Sequence, residues 1–153
     1  MAELRPVNDS GVRGRAELTR DGERLVVHVS ASGLTKNRVH DMHVHGFSPD
    51  ASGRQARCPR GERADGDDLL RHSEATRRYG EVILPIEPYP TVGEDGRIDY
   101  DLTLTLDGET DLEPLGDRVV DLHGMSVRRE GGNRVYAPSL PVACGSLQRA
   151  QEE

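Results

Sequence analysis

Three of the chain's six histidines fall within Val39-His40-Asp41-Met42-His43-Val44-His45-Gly46. Imidazole nitrogen is a good ligand for copper and zinc, so the spacing of these rings decides whether they can meet one ion. On a β-strand, residues two apart face the same way. His43 and His45 would project side by side, with Met42 and Val44 on the other face. His40 has the opposite parity and suits a supporting role, holding a ligand or a loop in place. A metal needs at least a third ligand. His123, in Val119-Val120-Asp121-Leu122-His123-Gly124-Met125, is the candidate. It lies late in the chain on another strand-like run, with Val120 and Leu122 facing a core and Asp121 and Met125 on its own face. Two imidazoles from one strand and one from another make a three-histidine site with room for water or a substrate. Affinity order favours copper there over zinc. The competing reading is a polar strand face on which His-x-His has nothing to do with metal.

These rings need strands to position them, and the chain is rich in strand signals. Apolar alternation or short β-branched runs occur at 12–18, 24–31, 39–46, 81–86, 100–106 and 119–127, and more weakly in Arg134–Ala137 and Leu140–Leu147. Asp21-Gly22 favours a tight hairpin turn. Turn-forming Gly, Pro, Asn and Asp separate the later runs. Residues 48–78 show no sustained apolar period and read as one long functional loop, with a short helical turn near 68–75. Seven or eight short strands without a long helix predict an all-β fold, a Greek-key antiparallel barrel or sandwich. At 153 residues the chain reads as a single domain, 1–153. Only 34% of it is hydrophobic, Trp is absent and Phe47 is the sole Phe, so the core must be built from Val and Leu.

Charge narrows the function. A net charge of −7 argues against nucleic acid, whose phosphates need a basic surface, and against a polybasic membrane patch. The longest apolar runs are far below the roughly 20 residues that span a bilayer. The first residues, Met1–Gly11, lack the apolar segment of a signal peptide. The expectation is therefore a cytoplasmic protein, or a secreted or periplasmic one if a signal has been removed. Two cysteines, Cys58 and Cys144, leave one bridge or two free thiols equally open.

The order of these features resembles that of the Cu/Zn superoxide dismutase family. Gly11-Val12-Arg13-Gly14, Gly33-Leu34-Thr35 and His40-x-x-His43-x-His45 follow one another as that family's Val-x-Gly, Gly-Leu-Thr and histidine strands do. Cys58 stands in the next loop, Val119-Val120 takes the place of the late Val-Val-His strand, and Ala143-Cys144-Gly145 matches its terminal Ala-Cys-Gly. The resemblance spans roughly residues 2–147. It implies copper at His43, His45 and His123, support from His40, and a Cys58–Cys144 disulfide; Asp121, on the His123 face, reads as a second supporting residue.

Departures from the family pattern are as informative. The family's zinc loop holds several histidines and an aspartate; between Cys58 and Glu81 this chain has only His72, beside Asp65, Asp67 and Asp68. The family's second site, zinc, is not expected, and His72 is at most an optional fourth copper ligand. The acidic stretch also approximates a calcium loop, but Arg63 falls where the first carboxylate belongs, so calcium is not expected. Pro141 and Val142 stand where the family's anion-steering Arg belongs. Losing such steering can slow capture about 10-fold or more. The resemblance thus implies a copper protein with weak superoxide dismutation or related copper redox chemistry. The alternatives are a non-catalytic copper carrier and a metal-free β-sandwich binding module. Expected partners are a small anion such as superoxide, or a copper donor or acceptor protein; a homodimer is compatible with the family.

Overall fold

A computed structural model describes residues 1–47, 55–59, 72–106, 117–128 and 132–148, with the backbone alone at 72–74 and 128. Among the described residues, eight strands and one helix follow in order: β1 (Ala2–Pro6), β2 (Arg13–Asp21), β3 (Arg24–Ser32), β4 (Met42–Gly46), α1 (His72–Tyr79), β5 (Glu81–Pro85), β6 (Ile98–Thr105), β7 (Val119–Arg128) and β8 (Arg134–Ser146). The strands form one sheet in the order β5-β4-β7-β8-β1-β2-β3-β6, and each neighbouring pair is antiparallel. The sheet curls into a half-barrel. Chain neighbours β3 and β4 are separated in the sheet, as are β6 and β7, which is the crossing pattern of a Greek key. The all-β, eight-stranded expectation is met.

Strand β3 shows why this sequence takes this form. Leu25, Val27, Val29 and Ala31 alternate inward and are buried, while Arg24 and Val26 face out. Its hairpin with β2 closes in two residues, since Asp21 pairs with Arg24. Gly22 supplies the positive φ (61°) that this turn needs. The main core gathers Leu4, Leu25, Val27, Val29, Met42, Val44, Val120, Leu122 and Val142 from both halves of the sheet.

A smaller apolar cluster lies elsewhere: Val7, Ala56, Ala75, Tyr79, Val119 and Cys144, with Phe47 and Cys58 against it. It roots α1 and the 55–59 segment on the sheet. Cys58 and Cys144 are joined by a disulfide there, with Cα atoms 5.7 Å apart across a sequence separation of 86. Closing a loop of that length removes about 4–5 kcal/mol of unfolded-chain entropy in the loop-closure model.

Some sequence expectations shift. β1 carries no hairpin or alternation signal, yet it joins β8 to β2 and completes the sheet. The two weak C-terminal runs are one strand, β8, which contains Pro138 and Pro141. Breaks in the β7–β8 register accommodate these residues, which have no N–H to donate. Helix α1, His72–Tyr79, overlaps the turn expected at 68–75, whose residues 68–71 lie outside the described ones. Residues 48–54 and 60–71 of the 48–78 loop, with Asp65, Asp67 and Asp68, lie outside the described residues, as does the end of the tail. No helix among the described residues is long and apolar enough to cross a membrane.

Candidate metal centre

Strand β4 is buried on both faces. Met42 and Val44 enter the main core, so His43 and His45 necessarily point the opposite way. Across the ladder, Met42 pairs with Leu122, His43 with Asp121 and Val44 with Val120. That register puts the Asp121 side chain on the same side as the two imidazoles. His123 would follow on this face by simple alternation, but the β7–β8 register shifts on both sides of it. The bulge brings the His123 ring in towards Asp121 and turns Met125 against the main core instead. Gly124 makes this local path available: its φ is +111°, and a Cβ there would lie 2.0 Å from the Tyr136 hydroxyl oxygen.

The result is a carboxylate surrounded by imidazoles. Asp121 Oδ2 lies 2.5 Å from His123 Nε2 and 2.9 Å from His45 Nε2. Its Oδ1 lies 3.2 Å from His43 Nδ1. One donor atom from each of the four residues falls within 4.8 Å of all the others. The cluster is buried: Asp121 and His45 are fully so, His123 is 2% exposed and His43 is 9% exposed. Burial by itself would raise the Asp121 carboxyl. The imidazoles outweigh it, His123 first and then His43 and His45, and hold the group well below the usual carboxylate range.

The next layer orients these rings. His45 Nδ1 faces the Gly80 carbonyl at 3.2 Å and donates to it, which aims Nε2 at Asp121. The Tyr79 ring stacks on His45 at 4.0 Å between centroids, 22° from parallel. Burial first, and then the nearby Asp121 carboxylate, push its phenol upward. Tyr89 meets His43 edge-on at 5.8 Å. Its phenol is also pushed upward, by burial first and then by the Glu87 and Asp41 charges.

His40 does not enter the cluster. It is fully buried, with Nδ1 2.9 Å from the His123 carbonyl and Nε2 2.9 Å from the Thr35 carbonyl. The ring thereby ties the segment after β3 to the β7 bulge. The amide of His123 donates to Asp41 O at 2.9 Å from the same segment. His72 is the first residue of α1, and its side chain lies outside the described residues.

The structure therefore brings His43, His45 and His123 together and sets His40 behind them. Asp121, read from the sequence as a supporting residue, lies among the four donor atoms. Sequence reasoning missed Tyr79, Gly80 and Tyr89, because their roles depend on where α1 and the 87–92 segment land. The donor set suits a borderline cation: three imidazoles and one carboxylate are accepted by copper and zinc alike. Donors about 2.0–2.2 Å from a tetrahedral ion stand roughly 3.3–3.6 Å apart, so the wider pairs, up to 4.8 Å, would contract and the Asp121 Oδ2–His123 Nε2 pair, 2.5 Å, would open around an ion.

The chain matches no protein-family model, and comparison with curated proteins finds no similar relative.

Proposed function

We propose that this is a transition-metal-binding protein whose site is His43 Nδ1, His45 Nε2, His123 Nε2 and one oxygen of Asp121, with copper the favoured ion. The observation that carries this reading is the convergence of three imidazole nitrogens on one buried carboxylate, all within coordination reach. Copper heads the affinity order for such ligands among the common divalent ions, and bound there it would supply one-electron redox chemistry. Four protein donors fill a four-coordinate shell and, among the described residues of the cluster, His43 is the most exposed at 9%, so holding and delivering the ion fits better than rapid turnover. A net charge of −7 also favours a cation as cargo over an anionic substrate.

A second reading is weak superoxide dismutation. It is favoured by the Cys58–Cys144 disulfide, which the resemblance to the dismutase family implies. The same frame with Asp121 detached from the ion would leave an open position for a small anion.

Titration with Cu(II), followed by isothermal calorimetry and electron paramagnetic resonance, tests both readings. One equivalent bound with imidazole-nitrogen splitting, and no superoxide consumption, supports the carrier. The same spectrum with superoxide consumption supports the dismutase. Binding weaker than micromolar, or unchanged in His43→Ala, removes the site.

A further inference from the structure

His123 is the one donor that sits at a break in the sheet. Its ladder partner on β8 is Pro141, which has no N–H to offer the His123 carbonyl. The next partner pair is Met125 with Ala137, so residues 138–140 of β8 stand opposite Gly124 alone. Regular pairing therefore does not fix the path of β7 beside its ligand, and other contacts must.

Those contacts come from residues 38–41, in the connection between β3 and β4. The His123 amide donates to the Asp41 carbonyl at 2.9 Å. The His123 carbonyl faces His40 Nδ1, also at 2.9 Å, which supplies the donor that Pro141 lacks. Both backbone polar groups of the ligand are thus taken by one segment. That segment is in turn tied to β8. The Tyr136 hydroxyl donates to the Val39 carbonyl at 2.7 Å and lies 3.4 Å from His40 Nδ1. The Tyr136 ring meets the His40 ring edge-on, with centroids 5.7 Å apart. The Arg38 guanidinium lies over the Tyr136 ring at 5.4 Å, within cation–π range. The Tyr136 hydroxyl and His40 Nδ1 also converge on Gly124, where a Cβ would lie 2.0 Å from one and 2.9 Å from the other.

We propose that Tyr136 is a positioning residue for the metal ligand His123, its hydroxyl holding the 38–41 segment against the break in the sheet. This rests on the metal-binding reading above. Tyr136→Phe keeps the ring, its contact with Arg38 and its packing on His40, and loses the bond to the Val39 carbonyl. The segment can then lift from β8 and carry the His123 backbone with it. His43 and Asp121 face each other in regular pairing and His45 pairs with Val119, so these three donors keep their places.

The test is Cu(II) affinity, measured by chelator competition on the full chain with its disulfide intact and read as a double-mutant cycle. Outer partners of metal ligands typically change affinity by about 10–100-fold, and Tyr136→Phe should bind one equivalent about 10-fold more weakly than the wild type. In a His123→Ala background the same substitution should change affinity by less than about two-fold, because the ligand it positions is gone. In a His45→Ala background the loss of about 10-fold should persist. A loss undiminished by His123→Ala marks a general structural role and overturns the proposal. So does a Tyr136→Phe chain that binds copper like the wild type; the metal site stands after either result. A wild-type chain that binds no copper removes both readings. Should Tyr136→Phe not fold, the wild type answers with Zn(II) and 13C-tyrosine labelling. The Tyr136 ring signal, assigned through its contact with Arg38, should move with one equivalent of zinc, and a fixed signal overturns the proposal.

Discussion

Two histidine–carboxylate groups stand at opposite extremes of this molecule. On the outer face of β3, His28 lies between Asp101 at Nδ1 and Asp99 at Nε2, the latter 3.0 Å away. On the other half of the sheet, one carboxylate, Asp121, serves His43, His45 and His123. The residue types are the same and the ratio is inverted. The His28 side chain is 37% exposed and its two aspartates are 80% and 78% exposed. Water can replace either partner there, so the pairing is worth little and is screened by salt. Asp121 is fully buried, so its charge must be answered by the protein or by an ion. Solvent access makes one group an ordinary surface pair and the other a site.

The sharpest ways to break this contrast act on the buried group. Cys58→Ser removes the tie that anchors the cluster around Tyr79, and should lower unfolding free energy by about 4–5 kcal/mol in urea or guanidinium titrations under oxidising conditions. A loss below about 1 kcal/mol would show that the second cluster holds without it. Asp121→Ala leaves imidazoles facing a buried gap. It should cost about 3–5 kcal/mol in the metal-free protein and abolish tight Cu(II) binding by calorimetry. Stability within about 0.5 kcal/mol of wild type would mean that the carboxylate is as dispensable as a surface one. Gly124→Ala forces a side chain into a positive-φ position against Tyr136. It should cost about 1–3 kcal/mol by thermal unfolding and weaken metal binding through His123.

The smallest effect belongs to the exposed group. His28 is raised from its ordinary value, chiefly by its hydrogen bond to Asp101, against a weaker desolvation penalty and with help from the Asp101, Asp99 and Glu17 charges. A folded-state value above the unfolded one means that the stabilisation is complete below about pH 6.5. It is lost as pH rises through the raised folded value. The wild-type minus Asp101→Asn difference in Tm should therefore be small at pH 5.5, vanish towards pH 9, and shrink in 1 M salt. A difference that grows with pH would contradict the assignment.

How much of this could be read in advance follows from the range of each interaction. The alternation of Leu25, Val27 and Val29 and the Asp21-Gly22 turn are local, and both appear as expected. β1 escaped notice because Ala2 and Leu4 are too few to make a pattern, and their burial depends on β2 and β8. The parity of His43 and His45 was legible for the same local reason. Strict alternation placed Met125 beside His123, whereas the bulge sends Met125 to the main core, a break that depends on pairing with β8. Asp121 looked like a helper because its two neighbours in sequence and its own strand say nothing of what stands opposite.

Residue pattern alone was sufficient for the all-β class, the turn chemistry and the shared face of His43 and His45, because these follow from backbone periodicity over a few residues. Tertiary structure decided that Asp121 sits directly across from His43, that a glycine-permitted bulge swings His123 inward, and that Tyr79 arrives from α1 to cover His45. Register and burial are properties of contacts between distant segments, and burial is what sets these four polar side chains apart as a group that could hold an ion.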